Sequence, residues 1–334
     1  MKKLNLLLIV LFALGLRVMS QSCLPEGIEF TTQTEIDSFQ INYPNCIVIE
    51  GDVFIGSWDG NTTITNLVSL ICLTSIGGRL DIVRCENLTS LAGLSFNSTI
   101  GDWLLILENN SLSDLIGFQS LTTVGNGLAI EGNNGITSIS GLESLVSIGG
   151  QLSIDNNNNL TNLSGLISLT EINGSLSIMT NVNLTDISGI ENIDPVSIQE
   201  FLAIKHNYML SNCAVYSVCD YIDNPSGLIV INDNNDGCNN QTEVETACEE
   251  FSVQNISIEN NLLMFPNPAT QTLTVSLKNG ESISKISIYS LYGQEIISQK
   301  PIKNTINISK IQKGYYIIKI ESEQFEYNKR LIIK

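Results

Sequence analysis

Apolar and polar positions recur along the middle of this chain with a fixed spacing. Blocks of 24 residues begin at Gly77, Gly101, Gly125, Gly149 and Asn173. The fourth and sixth positions of each block are aliphatic: Leu80/Ile82, Leu104/Ile106, Leu128/Ile130, Leu152/Ile154 and Leu176/Ile178. Such alternation predicts a short strand with one face turned inward. Weaker copies flank the array at Val53/Ile55, at Leu202-Ala203-Ile204 and at Ile229-Val230-Ile231. Three residues past the second aliphatic position an Asn recurs, at Asn109, Asn133, Asn157, Asn181, Asn207 and Asn234. An Asn there can turn the chain and bond backbone groups that a strand leaves unpaired. Further apolar positions such as Leu112, Leu115, Phe118 and Leu121 follow, with no long helical period. Stacked copies predict a parallel ladder with strands about 4.8 Å apart.

Past Cys248 this pattern stops. Residues 251–261 read as a polar linker, and from Leu262 shorter alternating strands follow, separated by turns at Asn279-Gly280, Tyr292-Gly293 and Lys313-Gly314. They predict a small antiparallel β-sandwich over 262–334. At the other end, Lys2 and Lys3 precede an apolar run from Leu6 to Leu16, too short to span a bilayer and suited to an export signal over 1–20. Val18-Met19-Ser20 offers a cleavage site, with the mature chain beginning near Gln21. No later segment is apolar enough for a transmembrane helix.

Charge sharpens the division. The 334-residue chain has a net charge of −18, but residues 21–250 hold only Arg79, Arg84 and Lys205 against 28 acids. Residues 251–334 carry ten basic and six acidic side chains. A surface so acidic excludes nucleic-acid partners, whose binding runs on Lys and Arg. The single His206 disfavours His-based triads and multi-His metal sites. All eight cysteines follow the signal and none form a Cys-x-x-Cys pair, which favours disulfides over zinc. Neither a metal nor a cofactor is expected. Asn232 to Gly237 with Glu243 approaches a calcium-loop spacing, yet Asn234 already belongs to the repeat's Asn series.

The run Leu-x-Ile-x-x-Asn resembles the core of a leucine-rich repeat. Its 24-residue length, short outer side and Cys-bearing ends are more similar to the receptor L-domain family. TTQTEIDSFQINYPNCIVIEGDVFI resembles that family's N-terminal cap, and SNCAVYSVCDYI with GCNNQTEVETAC its C-terminal cap. The resemblance implies a mainly β fold over 21–250: a right-handed parallel solenoid of leucine-rich-like repeats with disulfide-stapled caps. The expected staples are Cys23–Cys46, Cys213–Cys238 and Cys219–Cys248, although spacing alone does not settle connectivity. Cys72 and Cys85 are left open, since Cys85 occupies the Asn position and reads equally well as a buried thiol.

In leucine-rich-repeat proteins the outward face of the strand ladder is the usual binding surface. On it the candidate ligand-binding residues are Trp103, Leu105, Leu107, Glu131, Asp155 and Phe201. Trp103, Leu105 and Leu107 are expected to form an exposed apolar patch, able to stack on a sugar or anchor a protein.

FPNPATQTLTV, ISIYSLYGQEI, ISKIQKGYYIIKI and the terminal KRLIIK resemble the type A C-terminal sorting domain of the type IX secretion system. The matching residues are Pro266, Asn267, Pro268, Gly293, Gly314, Tyr315, Lys329 and Arg330. The resemblance implies the type IX machinery as partner and a secreted or outer-membrane surface-attached product. The expected function is non-catalytic recognition or adhesion toward an unidentified protein or glycan. A structural surface-layer component with no discrete ligand is the second reading. No nucleophile–base pair stands out to support an enzyme.

Overall fold

A computed structural model describes residues 22–94, 99–249, 262–267, 269–277, 282–290, 294–301, 304–322 and 326–333. The expected signal, the linker, Pro268 and Gly293 lie outside these. The chain divides into two compact units, Met1–Glu245 and Thr246–Lys334.

The first unit is built on two parallel sheets. One has nine strands, running in space from Ile28–Phe30 through Val53–Gly56, Leu80–Val83, Leu104–Leu107, Leu128–Glu131, Leu152–Asp155, Gly174–Met179 and Ile198–Lys205 to Leu228–Asn232. The other has seven two-residue strands, from Ser22–Cys23 to Glu171–Ile172. Successive turns of chain add one strand to each. In the centre the partners lie 24 residues apart, as in Leu104↔Leu128↔Leu152↔Leu176. The paired aliphatics are fully buried, Leu80, Ile82, Leu104, Ile106, Leu128 and Ile130 all at 0% exposure. Side chains from the outer path, among them Leu112, Leu115, Phe118 and Leu121, fill the space behind them. Burying each Leu or Ile contributes roughly 1.5–3 kcal/mol.

Glycines let neighbouring turns approach. A Cβ on Gly101 would lie 1.9 Å from the Gly77 carbonyl oxygen, and one on Gly125 2.0 Å from that of Gly101. Any side chain there would force the backbones apart.

The Asn series forms a continuous buried ladder. Oδ1 of Asn109, Asn133, Asn157, Asn181, Asn207 and Asn234 each accepts the backbone N–H of the residue one rung earlier, at 2.9–3.0 Å. Each Nδ2 donates to the carbonyl of an inward aliphatic, Ile82, Ile106, Ile130, Ile154, Ile178 or Ile204. Polar groups that a short strand would strand in the core are thereby satisfied. Cys85 stands at the head of this ladder as a buried free thiol, and burial pushes its pKa up to about 12.

Helices that the repeat pattern does not predict help close the unit. Gln33–Asn42 is capped by Thr32 and Glu35, each bonding the other's backbone N–H. Tyr216–Asp223 lies at the opposite end. Cys23–Cys46 and Cys213–Cys238 are disulfides, and Cys219 and Cys248 are each disulfide-bonded. Cys72 is free and half-buried, so it is not bridged to Cys85.

The second unit has an antiparallel three-stranded sheet, Leu262–Phe265, Thr272–Leu277 and Thr305–Asn307. A four-stranded antiparallel sheet orders Glu295–Gln299, Ile283–Ser290, Gly314–Ser322 and Glu326–Ile333. Leu273, Val275, Ile286, Ile288, Ile306, Ile318, Ile320 and Leu331 form their common core.

Candidate functional site

The outward face of the nine-stranded sheet carries three rows of side chains. Strand register places Glu29, Phe54, Asp81, Leu105, Ala129, Ser153, Ser177 and Ala203 in its central row. Much of that row is small and covered: Ala129 is 8%, Ser177 5% and Ala203 4% exposed. The ridges on either side hold the larger groups.

On one ridge Trp103 is half-buried, not freely exposed, because its indole lies over Gly127. A Cβ on Gly127 would be 2.3 Å from Trp103 Cζ3. Leu105 and Leu107 are likewise half-buried. The expected apolar patch is therefore a packed platform and not a protrusion. Phe201 is half-buried, paired with Leu228 on the next strand.

On the other ridge Glu131 and Asp155 are register partners with different environments. Glu131 is exposed, while Asp155 is 9% exposed and occupied within the protein. Asp155 accepts from the Ser153 hydroxyl at 2.6 Å, the Ser177 hydroxyl at 3.2 Å and the Met179 N–H at 3.0 Å. Burial still raises its pKa, opposed by those bonds and by Lys205. Burial and the nearby Asp155 and Glu108 raise Glu131 as well.

Residues in and just before the first three strands of this sheet, with the loop after the second, form a groove of about 330 Å³ that the repeat pattern does not reveal. Glu26, Glu29, Asp52, Phe54, Trp58, Arg79 and Asp81 line it with Ile28 and Val53. Phe54 and Trp58 pack with ring centroids 5.5 Å apart, and Trp58 is 56% exposed. The Trp58 turn is pinned on both sides. Arg84 donates to the Trp58 carbonyl and pairs with Glu108 at 2.7 Å, while Asp59 accepts from Ser57 and from the Asn61 N–H. Those bonds hold Asp59's pKa down to about 2. Arg79 donates its backbone N–H to Asp52 Oδ1 at 2.8 Å and its side-chain Nε to Asp81 Oδ1 at 2.5 Å. Burial raises the Asp81 pKa against the pull of that guanidinium.

The near-calcium loop is closed from within. Asn234 is the last rung of the ladder, and Glu243 accepts from the N–H groups of Gly237 and Asn239 at 2.7 and 3.0 Å. His206 lies 3.5 Å from Asp233. Among the described residues no group of three or more His, Cys, Asp or Glu side chains is placed to hold a metal. No helix of the described residues is long and apolar enough to cross a membrane.

In the second unit Pro266 and Asn267 directly follow the strand ending at Phe265. Gly314 and Tyr315 open a strand of the four-stranded sheet, and Lys329 and Arg330 lie in its antiparallel neighbour. Residues 263–334 match the family model described as a secretion system C-terminal sorting domain. This end of the chain is a type IX sorting domain. The protein is accordingly exported by type IX secretion to the cell surface or beyond it, and the secretion machinery is a partner. A separate comparison aligns 103 residues, 28% of this chain, at 27% identity with an endo-acting ulvan lyase of Formosa agariphila. The chain spans about a fifth of the length of that curated relative.

Proposed function

We propose that the first unit is a leucine-rich, receptor L-domain-like solenoid that serves outside the cell as a non-catalytic recognition or adhesion module. It binds a protein or glycan on the outward face of the nine-stranded sheet. The observation that carries this reading is that face itself: a continuous parallel surface with Trp103 packed flat over Gly127 beside Leu105. Aromatic rings held rigid at a surface lose little freedom on binding, which is where contact energy concentrates. The sorting domain supports it by delivering this surface to the exterior.

The test compares exported wild-type protein with Trp103→Ala for binding to immobilised surface glycans and to intact cells. Binding about tenfold weaker with an unchanged circular dichroism spectrum is expected. Unchanged binding by the variant would sink the reading.

The ulvan lyase relative motivates a second reading, polysaccharide cleavage. Incubating the exported protein with ulvan and following chain length by size-exclusion chromatography separates the two. A recognition module leaves the polymer intact, whereas progressive shortening would replace the proposal.

A further inference from the structure

We propose that the groove between Trp58 and Arg79 is a subsite for an uncharged glycan, one or two sugar units in length. This inference rests on the recognition reading and names its ligand class. The groove combines the features that sugar hydroxyls and ring faces require. Trp58 offers an exposed aromatic face, backed by Phe54 at 5.5 Å. The apolar C–H side of a pyranose stacks on such a surface, while its hydroxyls need both donors and acceptors at the edge. Arg79 supplies the donors, and Asp52, Asp81 and Glu29 supply acceptors.

The arrangement is set before any ligand arrives. The Trp58 carbonyl is held by Arg84, the following turn is closed by Asp59, and Arg79 bonds Asp52 through its backbone N–H and Asp81 through its Nε. A backbone held this way, with the Arg79 guanidinium already bonded to Asp81, spares part of the entropy otherwise lost on binding. A volume of about 330 Å³ is at the small end of ligand sites, which suits a short segment of a longer polymer.

Charge selects among glycans. Four carboxylates line the groove, Glu26, Glu29, Asp52 and Asp81, against the single guanidinium of Arg79, whose Nε is bonded to Asp81. Sulfated and uronate chains would meet repulsion from these and from the wider acidic unit. A cationic peptide would be attracted, but it would also meet Arg79, whose side chain is 38% exposed. The mixture of donor, acceptors and ring favours the neutral sugar.

The test uses affinity electrophoresis of the exported protein in gels containing a neutral β-glucan, a neutral galactan, a neutral mannan or alginate. Parallel titrations use poly-lysine. Retardation by at least one neutral polymer is expected, weakened about tenfold by Trp58→Ala, with none by alginate. Asp81→Asn keeps the shape of the groove and should weaken the same retardation while leaving the fold intact. Failure of every neutral polymer, or retardation by alginate as strong as by any of them, overturns the proposal. Tighter binding of poly-lysine than of all the glycans overturns it too and makes the groove a cation trap. Retardation lost with Trp103→Ala but kept with Trp58→Ala would leave the strand face as the binding surface and remove the groove from it.

Discussion

Asn133 and Asn157, 24 residues apart, are joined by two hydrogen bonds to one oxygen. The Asn133 backbone N–H reaches Asn157 Oδ1 at 3.0 Å and its Nδ2 reaches the same atom at 3.3 Å. Asn109 makes the same pair of bonds to Asn133 Oδ1, so each Asn both gives and receives along the stack. Replacing Asn133 with Ala leaves the Asn109 N–H without its acceptor and removes a donor from the Ile106 carbonyl. Both groups are deep in the unit, where unsatisfied polar atoms keep their full desolvation cost. Asn133→Ala should therefore destabilise the unit by about 2–5 kcal/mol. Urea unfolding followed by circular dichroism checks this, and a midpoint unchanged from wild type would refute the ladder's structural role.

Two glycines make a sharper comparison. A Cβ at Gly127 meets the far end of the Trp103 ring at 2.3 Å, whereas one at Gly101 meets the Gly77 carbonyl at 1.9 Å. A ring can swing away, but stacked backbones cannot separate without breaking ladder bonds on both sides. Gly127→Ala should cost about 1 kcal/mol or less and move the indole toward water. In a Trp58→Phe background, which leaves Trp103 as the only Trp, its emission should shift to the red. Gly101→Ala should instead cost several-fold more stability, read from the same urea midpoints. Equal costs would mean that the repeats tolerate backbone separation.

Mainly β structure, parallel pairing and disulfides were legible in the alternation, the period and the even cysteine count. The Asn positions were visible too, but not which backbone groups they satisfy, because those partners belong to other turns of the chain. Two further local signals stand in the sequence. Thr32 and Glu35 stand three apart as a capping box before a helix whose buried residues are only Ile36 and Phe39, too few for a clear amphipathic stripe. Gly127 occupies the position that holds Arg79 or Trp103 in earlier blocks, a gap into which a neighbouring ring can fold. The groove was hidden for a different reason. Glu29 pairs with Phe54 at an offset of 25 and Phe54 with Asp81 at 27, so the regular period does not align them. Trp58 sits outside the strand pattern altogether. Asp155 looked outward by alternation, yet its seryl neighbours draw its carboxylate into the surface.

Acid should first strengthen the first unit and then weaken it. Asp81, Glu131 and Asp155 have raised pKa values, with burial the leading cause. Between the ordinary carboxylate value and the raised one, the folded chain binds more protons than the unfolded chain. Stability therefore falls as pH rises through that window and is recovered when pH is lowered through it. Glu35 and Glu243 have values lowered chiefly by backbone N–H donors, so their contribution disappears as pH falls through their folded values. Thermal midpoints measured from neutral pH downward should rise and then drop. Asp155→Asn retains an acceptor for the Met179 N–H and cannot ionise, so it should flatten the rise. A rise of the same size in Asp155→Asn would assign it to general relief of the acidic surface.

Export provides the last prediction. The core of the second unit is drawn from its own strands, and the sorting match covers nearly all of it. A chain ending at residue 261 lacks every strand of that unit while keeping both parallel sheets of the first. Expressed in a host with type IX secretion, the full chain should reach the surface or the medium, its intact mass reduced at both ends. The chain ending at 261 should remain in the periplasm, its disulfides formed and its far-ultraviolet spectrum that of a folded β protein. Periplasmic retention of a folded, oxidised chain separates loss of an address from loss of structure. Equal export of the two would show that residues 262–334 do not act as the address and would make them a second candidate binding domain.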